Sequence, residues 1–175
     1  PANANLREVF GDWLQSNGEP WGELIGIQRA KHRGLADEQQ QIRERALRAE
    51  FEEPIFSRCD RYERPGLRWW LGFVDAATFR KSKGLGELLR DERGTMLRAL
   101  GLESSLHHGG LPEAIEVLET LGAPRLVSLT AGSARLGDAH PPPLGALGRL
   151  WGALPAIKAL EIRSPAYDLG DFVPG

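Results

Sequence analysis

Apolar residues fall at helical spacing near the start of the chain and at strand spacing later, and that change organises the sequence. Over residues 6–15, LREVFGDWLQ, the residues Leu6, Val9, Phe10, Trp13 and Leu14 share one side of a 3.6-residue period, which predicts an amphipathic helix. Asn5 is the expected N-cap, with Glu8 three positions on completing a capping box. Asn17-Gly18 supplies a left-handed stop, and Pro20 opens a second helix with the stripe Trp21, Leu24, Ile25 and Gln28. The two form a helical hairpin in which Trp13 is expected to be buried. Residues 36–53 predict a mostly solvated helix with a thin stripe, Ile42, Ala46, Ala49 and Phe51, and an i,i+4 pair between Glu44 and Arg48. A charged connector, 57–66, ends in a Pro-Gly turn.

From residue 67 the period shifts to two. Short alternating apolar segments begin at Leu67, Leu97, Leu126 and Ile157, about 30 residues apart. Segments with helical patterning lie between them, around 83–93, 112–122 and 143–154. A strand and a helix recurring at that interval is the signature of a leucine-rich-repeat solenoid. RLGD at 135–138 and DLGD at 168–171 follow their strands at similar distances, although the usual asparagine after each strand is absent. The repeats are therefore degenerate.

Alternation also assigns faces. Leu100 and Leu102, Leu129 and Ala131, and Leu160 and Ile162 are the expected core pairs. The outward set is then Ala99, Gly101 and Glu103, then Ser128, Thr130 and Gly132, then Ala159, Glu161 and Arg163. In the segment from Leu67 the outward positions are Trp69, Leu71 and Phe73, apolar as expected beneath a cap.

The stretch LREVFGDWLQSNGEPWGELIGIQ resembles the N-terminal repeat-companion domain of bacterial leucine-rich-repeat proteins. The resemblance rests on Asp12-Trp13-Leu14, Gly18-x-Pro20, Gly22-Glu23-x-Ile25 and Gln28. Gly11 stands where a small residue is usual, and Glu19 replaces the frequent Asp. Gly72-Phe73-Val74-Asp75 looks like the family segment that leads into the first repeat. The resemblance implies a bacterial source and a helical module followed by repeats, with no catalytic role to carry over to any residue. The expected fold is α/β: a helical module over 1–66 capping a short solenoid with a parallel sheet of about four strands over 67–175. The last repeat lacks the helix that should back it, which leaves truncation or completion by a partner open.

With 22 basic and 24 acidic residues among 175, the net charge is −2, and no basic footprint for nucleic acid is present. Arg29, Lys31 and Arg33 are expected to be neutralised by the following helix. One cysteine, Cys59, rules out an internal disulfide and suits a reducing cytoplasm. No apolar run approaches the ~20 residues of a membrane span. The absence of Met before Pro1 implies processing or trimming.

Candidate chemistry is sparse. Asp12 and Glu23 are a potential carboxylate pair, but read better as structural groups of the hairpin. His107, His108 and His140 with Asp138 lack metal-ligand spacing. Cys59, flanked by Arg58 and Arg61, has no histidine nearby in sequence to activate it. The expected function is non-catalytic protein binding through Ser128, Thr130, Glu161, Arg163 and Glu103. The partner is a protein whose identity the sequence does not give. Neither nucleic acid nor membrane is expected, nor any metal or cofactor. Two alternatives stand beside it: a stoichiometric inhibitor or immunity-type protein, and an enzyme with a site near Trp69, Trp70 and Asp75 where module meets solenoid.

Overall fold

The computed structural model describes residues 2–57, 59, 64–80, 82–104, 111–133, 145–148, 150–163 and 167–168; of these, 2–5, 104, 133, 145–146 and 167–168 are described as backbone only. The described helices are α1 (Ala2–Ser16), α2 (Pro20–His32), α3 (Glu38–Phe56), α4 (Leu85–Arg90), α5 (Leu111–Leu121) and α6 (Leu150–Ala153). The strands are β1 (Gly66–Trp70), β2 (Phe73–Phe79), β3 (Ala99–Ser104), β4 (Ser128–Ser133), β5 (Gly145–Ala146), β6 (Ala159–Arg163) and β7 (Tyr167–Asp168). Five form one mostly parallel sheet, ordered β1-β2-β3-β4-β6, and β5 pairs with β7 separately. The fold is α/β. Two compact units divide the chain: residues 1–54 with 69–73, and residues 55–68 with 74–175. The expectation of one boundary after residue 66 gives way to a chain that returns to the first unit at 69–73.

In the first unit α1 and α2 form the expected hairpin. Gly18 lies at φ +75° in its turn, Pro20 opens α2, and Ser16 Oγ and Asn17 Nδ2 both donate to the Trp13 carbonyl. Two details differ. The helix begins at Ala2, so Asn5 lies inside it rather than at its start. Trp13 is 60% exposed, with Leu6 and Val9 beside it on the outer face. The α1 stripe is wider than α2 can cover. Phe10, Gly11 and Leu14 face the unit, and Phe10 joins Trp21 and Phe73 in an aromatic cluster with centroids 5.2–6.3 Å apart.

The α3 helix buries a different face from the one its apolar residues mark. Ile42, Ala46 and Ala49 are exposed; Glu44, Leu47, Glu52 and Ile55 are buried. A buried carboxylate is costly without partners, and each has them. Glu44 accepts from Lys31 Nζ at 2.6 Å and Gln28 Nε2 at 3.1 Å. Glu52 accepts from Trp69 Nε1 at 2.6 Å and Arg48 at 3.2 Å. The expected Glu44–Arg48 pair is therefore absent, because each residue is engaged elsewhere.

The segment that rejoins this unit is a two-residue turn between β1 and β2. Leu71 at φ 48° and Gly72 at φ 77° give the positive dihedrals of a type I′ hairpin, whose twist suits adjacent strands. Holding Leu71 left-handed costs ~1–2 kcal/mol, offset by burial of its side chain. The Gly72 N–H donates to Gln28 Oε1 at 2.8 Å, and its carbonyl accepts from Trp21 Nε1 at 2.8 Å. A Cβ at Gly72 would meet Ile25 at 2.3 Å.

The second unit is built on a parallel register. Ala77, Leu100, Leu129 and Leu160 form one row across β2, β3, β4 and β6; Phe79, Leu102, Ala131 and Ile162 form another. Leu100 and Leu129 are the direct parallel neighbours that the alternation predicts. Each of the last three strands is introduced by the same local turn, in which Leu97, Leu126 and Ile157 donate to the carbonyls of Gly94, Ala123 and Leu154. Leu85, Leu88, Ile115, Leu118, Leu150 and Leu154 of the helical segments are buried with these rows.

The first strand of the parallel series is displaced from its expected place. Continuing the register puts Val74, rather than Leu67, in the position of Leu97. Gly66–Trp70 is instead the outer arm of a hairpin, since two strands joined by two residues run antiparallel. The outward positions of the first parallel strand are then Ala76 and Thr78, replacing Trp69, Leu71 and Phe73. The helix expected over 143–154 shrinks to Leu150–Ala153, with Gly145–Ala146 as a short strand.

Two stability predictions follow from these environments. Gly72→Ala should lose about 2–4 kcal/mol, combining left-handed strain with overpacking, whereas Gly18→Ala, with no atom within 4 Å of the added Cβ, should lose ~1 kcal/mol from strain alone. Urea unfolding of both variants checks the ordering. In the same assay Leu100→Ala and Leu129→Ala should each cost ~2–5 kcal/mol, and Leu160→Ala, whose side chain is only half-buried, distinctly less.

Candidate binding face

Residues that alternate with the buried rows form three aligned polar or small rows on the other face. Ala76, Ala99, Ser128 and Ala159 make the first; Thr78, Gly101, Thr130 and Glu161 the second. Glu103, Gly132 and Arg163 make the third, with Arg80 immediately after β2 beside Glu103. In-register parallel pairing compels this arrangement, because equivalent residues of successive strands must project side by side.

A concavity of about 260 Å³ opens on this face, lined by Ala76, Thr78, Gly101, Glu103, Ser128, Thr130 and Arg163 among others. Its floor lies where side chains are missing. Gly101 faces Thr78, whose atoms would stand 3.2 Å from an added Cβ. Gly132, at φ +135°, brings its backbone so close to β6 that a Cβ would meet the Arg163 carbonyl at 2.3 Å. Only glycine fits there. The walls offer methyl groups and three hydroxyls, which can donate or accept. The rim is charged but balanced: Arg163 Nε donates to Glu161 Oε1 at 2.8 Å, and Arg80 Nε lies 3.8 Å from Glu103.

All five residues expected to form the site are on this face. Ser128, Thr130, Glu103 and Arg163 line the concavity; Glu161 stands next to Thr130 in its row and holds Arg163. The alternation missed Thr78 and Ala76, which the corrected start of the series supplies. The hydrogen bond from Arg163 holds the Glu161 carboxyl below its ordinary value; desolvation opposes it, and the positive charge of Arg163 and a hydrogen bond with Thr130 add to the lowering. The same bond raises Arg163.

The other candidates are engaged elsewhere. Asp12 pairs with Arg29 at 3.1 Å and Glu23 with Arg43 at 2.6 Å, so both serve in cross-helix ion pairs. Arg29, Lys31 and Arg33 bind Asp12, Glu44 and Glu8, so α1 as well as α3 neutralises them. Trp69 donates to Glu52, Trp70 packs edge-on against His32, and Asp75 pairs with Arg68 at 2.6 Å. The Cys59 thiol donates toward the carbonyls of Lys83 and Ile55. His107, His108, Asp138, His140, Arg58 and Arg61, and the phrases RLGD and most of DLGD, lie outside the described residues. Among the described residues, no group of three or more His, Cys, Asp or Glu is placed to hold a metal ion, and no helix is long and apolar enough to cross a membrane.

Compared with protein-family models, curated proteins and solved structures, the chain shows no significant match.

The Glu161–Arg163 contact sets a titration prediction. A carboxyl whose value is depressed in the folded state stays ionised through the ordinary midpoint of 4.5 and protonates only at lower pH. Carboxyl NMR should place the Glu161 midpoint below 4.5 in the native chain and return it upward in Arg163→Gln. An unchanged midpoint in the variant would mean that the pair is not formed in solution.

Proposed function

We propose that the protein is a non-catalytic, leucine-rich-repeat-type binding module. It engages a protein partner through the face carrying Ser128, Thr130, Glu103, Glu161 and Arg163, with Thr78 as a further contact. One observation supports the reading most: the outward rows converge on a concavity with a glycine floor, hydroxyl walls and a charge-balanced rim. At about 260 Å³ the hollow falls below the ~300–1,000 Å³ usual for small-molecule sites. It suits one or two protruding side chains of a macromolecular surface. The recurring local turns at 94–97, 123–126 and 154–157 support the repeat-type description.

Affinity capture from native cells, followed by mass spectrometry, identifies the partner. Thr130→Arg then fills the hollow without entering the core. It should leave thermal unfolding within ~0.5 kcal/mol while losing 2 kcal/mol or more of binding energy, roughly thirtyfold in affinity. Normal capture by this variant, with loss of capture on altering the exposed Ile42 of α3, would move the function to the helical unit.

A further inference from the structure

Among the described residues, the outer edge of β6 is open in two independent respects. Among the described residues, β6 pairs with β4 and no strand pairs with its other edge. The core rows also thin out there. Leu100, Leu102, Leu129 and Ala131 are buried, whereas their counterparts Leu160 and Ile162 are only half-buried. An edge that leaves backbone donors and half-covered apolar side chains together is a template for another strand.

The register states which backbone groups are open. Ala159 N–H donates to the Val127 carbonyl on the β4 side. Successive residues of a strand direct their backbone groups to opposite edges. Ala159, Glu161 and Arg163 therefore face β4, and Leu160 and Ile162 present their N–H and C=O to the open edge.

We propose that this edge pairs with β6 of a second copy of the chain, antiparallel, about a two-fold axis at Ile162. Three features of β6 select that occupant and register. Ile162 lies opposite itself, so the two copies exchange both of its backbone hydrogen bonds, as a hydrogen-bonded antiparallel pair requires. Glu161 then faces Arg163 of the partner, and Arg163 faces the partner's Glu161, giving two symmetric opposite-charge cross-strand pairs. The two Ile162 side chains meet across the axis and extend the half-covered apolar layer. Centring the pair on Glu161 instead would also pair the open backbone groups, Leu160 with Ile162, but would set two carboxylates face to face. The interface is isologous and closes on itself. Centred on Ile162, two Ala159–Arg163 strands overlap only over residues 161–163, so the association is weak and depends on concentration.

A charge swap tests the pairing. Glu161 and Arg163 are exposed, so their variants should keep the native circular dichroism and melting temperature. Sedimentation velocity over a range of concentrations should show the native chain moving from monomer to dimer. Glu161→Arg and Arg163→Glu alone should each weaken the dimer by tenfold or more, and the double variant, again self-complementary, should restore it. Amide exchange at Ile162 should slow as concentration rises in the native chain, and not in either single variant. A native chain that stays monomeric overturns the proposal, as does a double variant no better than the singles.

Discussion

In-register parallel pairing of β2, β3, β4 and β6 is the constraint on which the second unit depends. A strand repeats every two residues, and equal register carries each position of one strand onto its counterpart in the next. The rows through Leu100 and Leu102 are thereby closed into a core, and the rows through Thr78 and Glu103 are opened to one surface. A slip of one residue in any strand would exchange the two sets. Register is protected by the recurring turn before β3, β4 and β6, where Leu97, Leu126 and Ile157 close the same three-residue backbone bond. The face and the core are two consequences of a single pairing.

Much of this was legible because apolar alternation and its spacing are local properties of the chain. Leu100 beside Leu129, and the outward positions of Ser128, Thr130, Glu161 and Arg163, could be read without knowing what packs behind them. The first strand could not. Leu67-x-x-Trp70 mimics the template, but the left-handed pair Leu71-Gly72 turns the chain back, and the strand in register is the next one. A Leu at positive φ leaves no trace in hydrophobic patterning, and Thr78 was missed with it.

The helical unit shows the opposite limit. In α3 the apolar residues Ile42, Ala46 and Ala49 suggested one inward face, while the buried face carries Glu44 and Glu52. Gln28, Lys31 and Trp69, 13 to 17 residues away in sequence, hold these carboxylates, with Arg48 of the same helix as a local fourth partner. Gln28 also accepts from Gly72, so one side chain ties the second helix, the third helix and the turn together. Buried polar networks of this kind depend on partners that only the tertiary fold supplies. Trp13 errs in the other direction: it is apolar and helically spaced, yet α2 covers only part of its helix face.

The central claim is that the surface made by the outward rows is where a protein partner sits. A photo-crosslinking residue placed at Thr130, in the middle of that surface, reports on it directly in native cells, with Ala49 on the exposed side of α3 as the comparison. The account predicts a discrete protein adduct from position 130 and none from position 49. An adduct at 49 with none at 130 would contradict it.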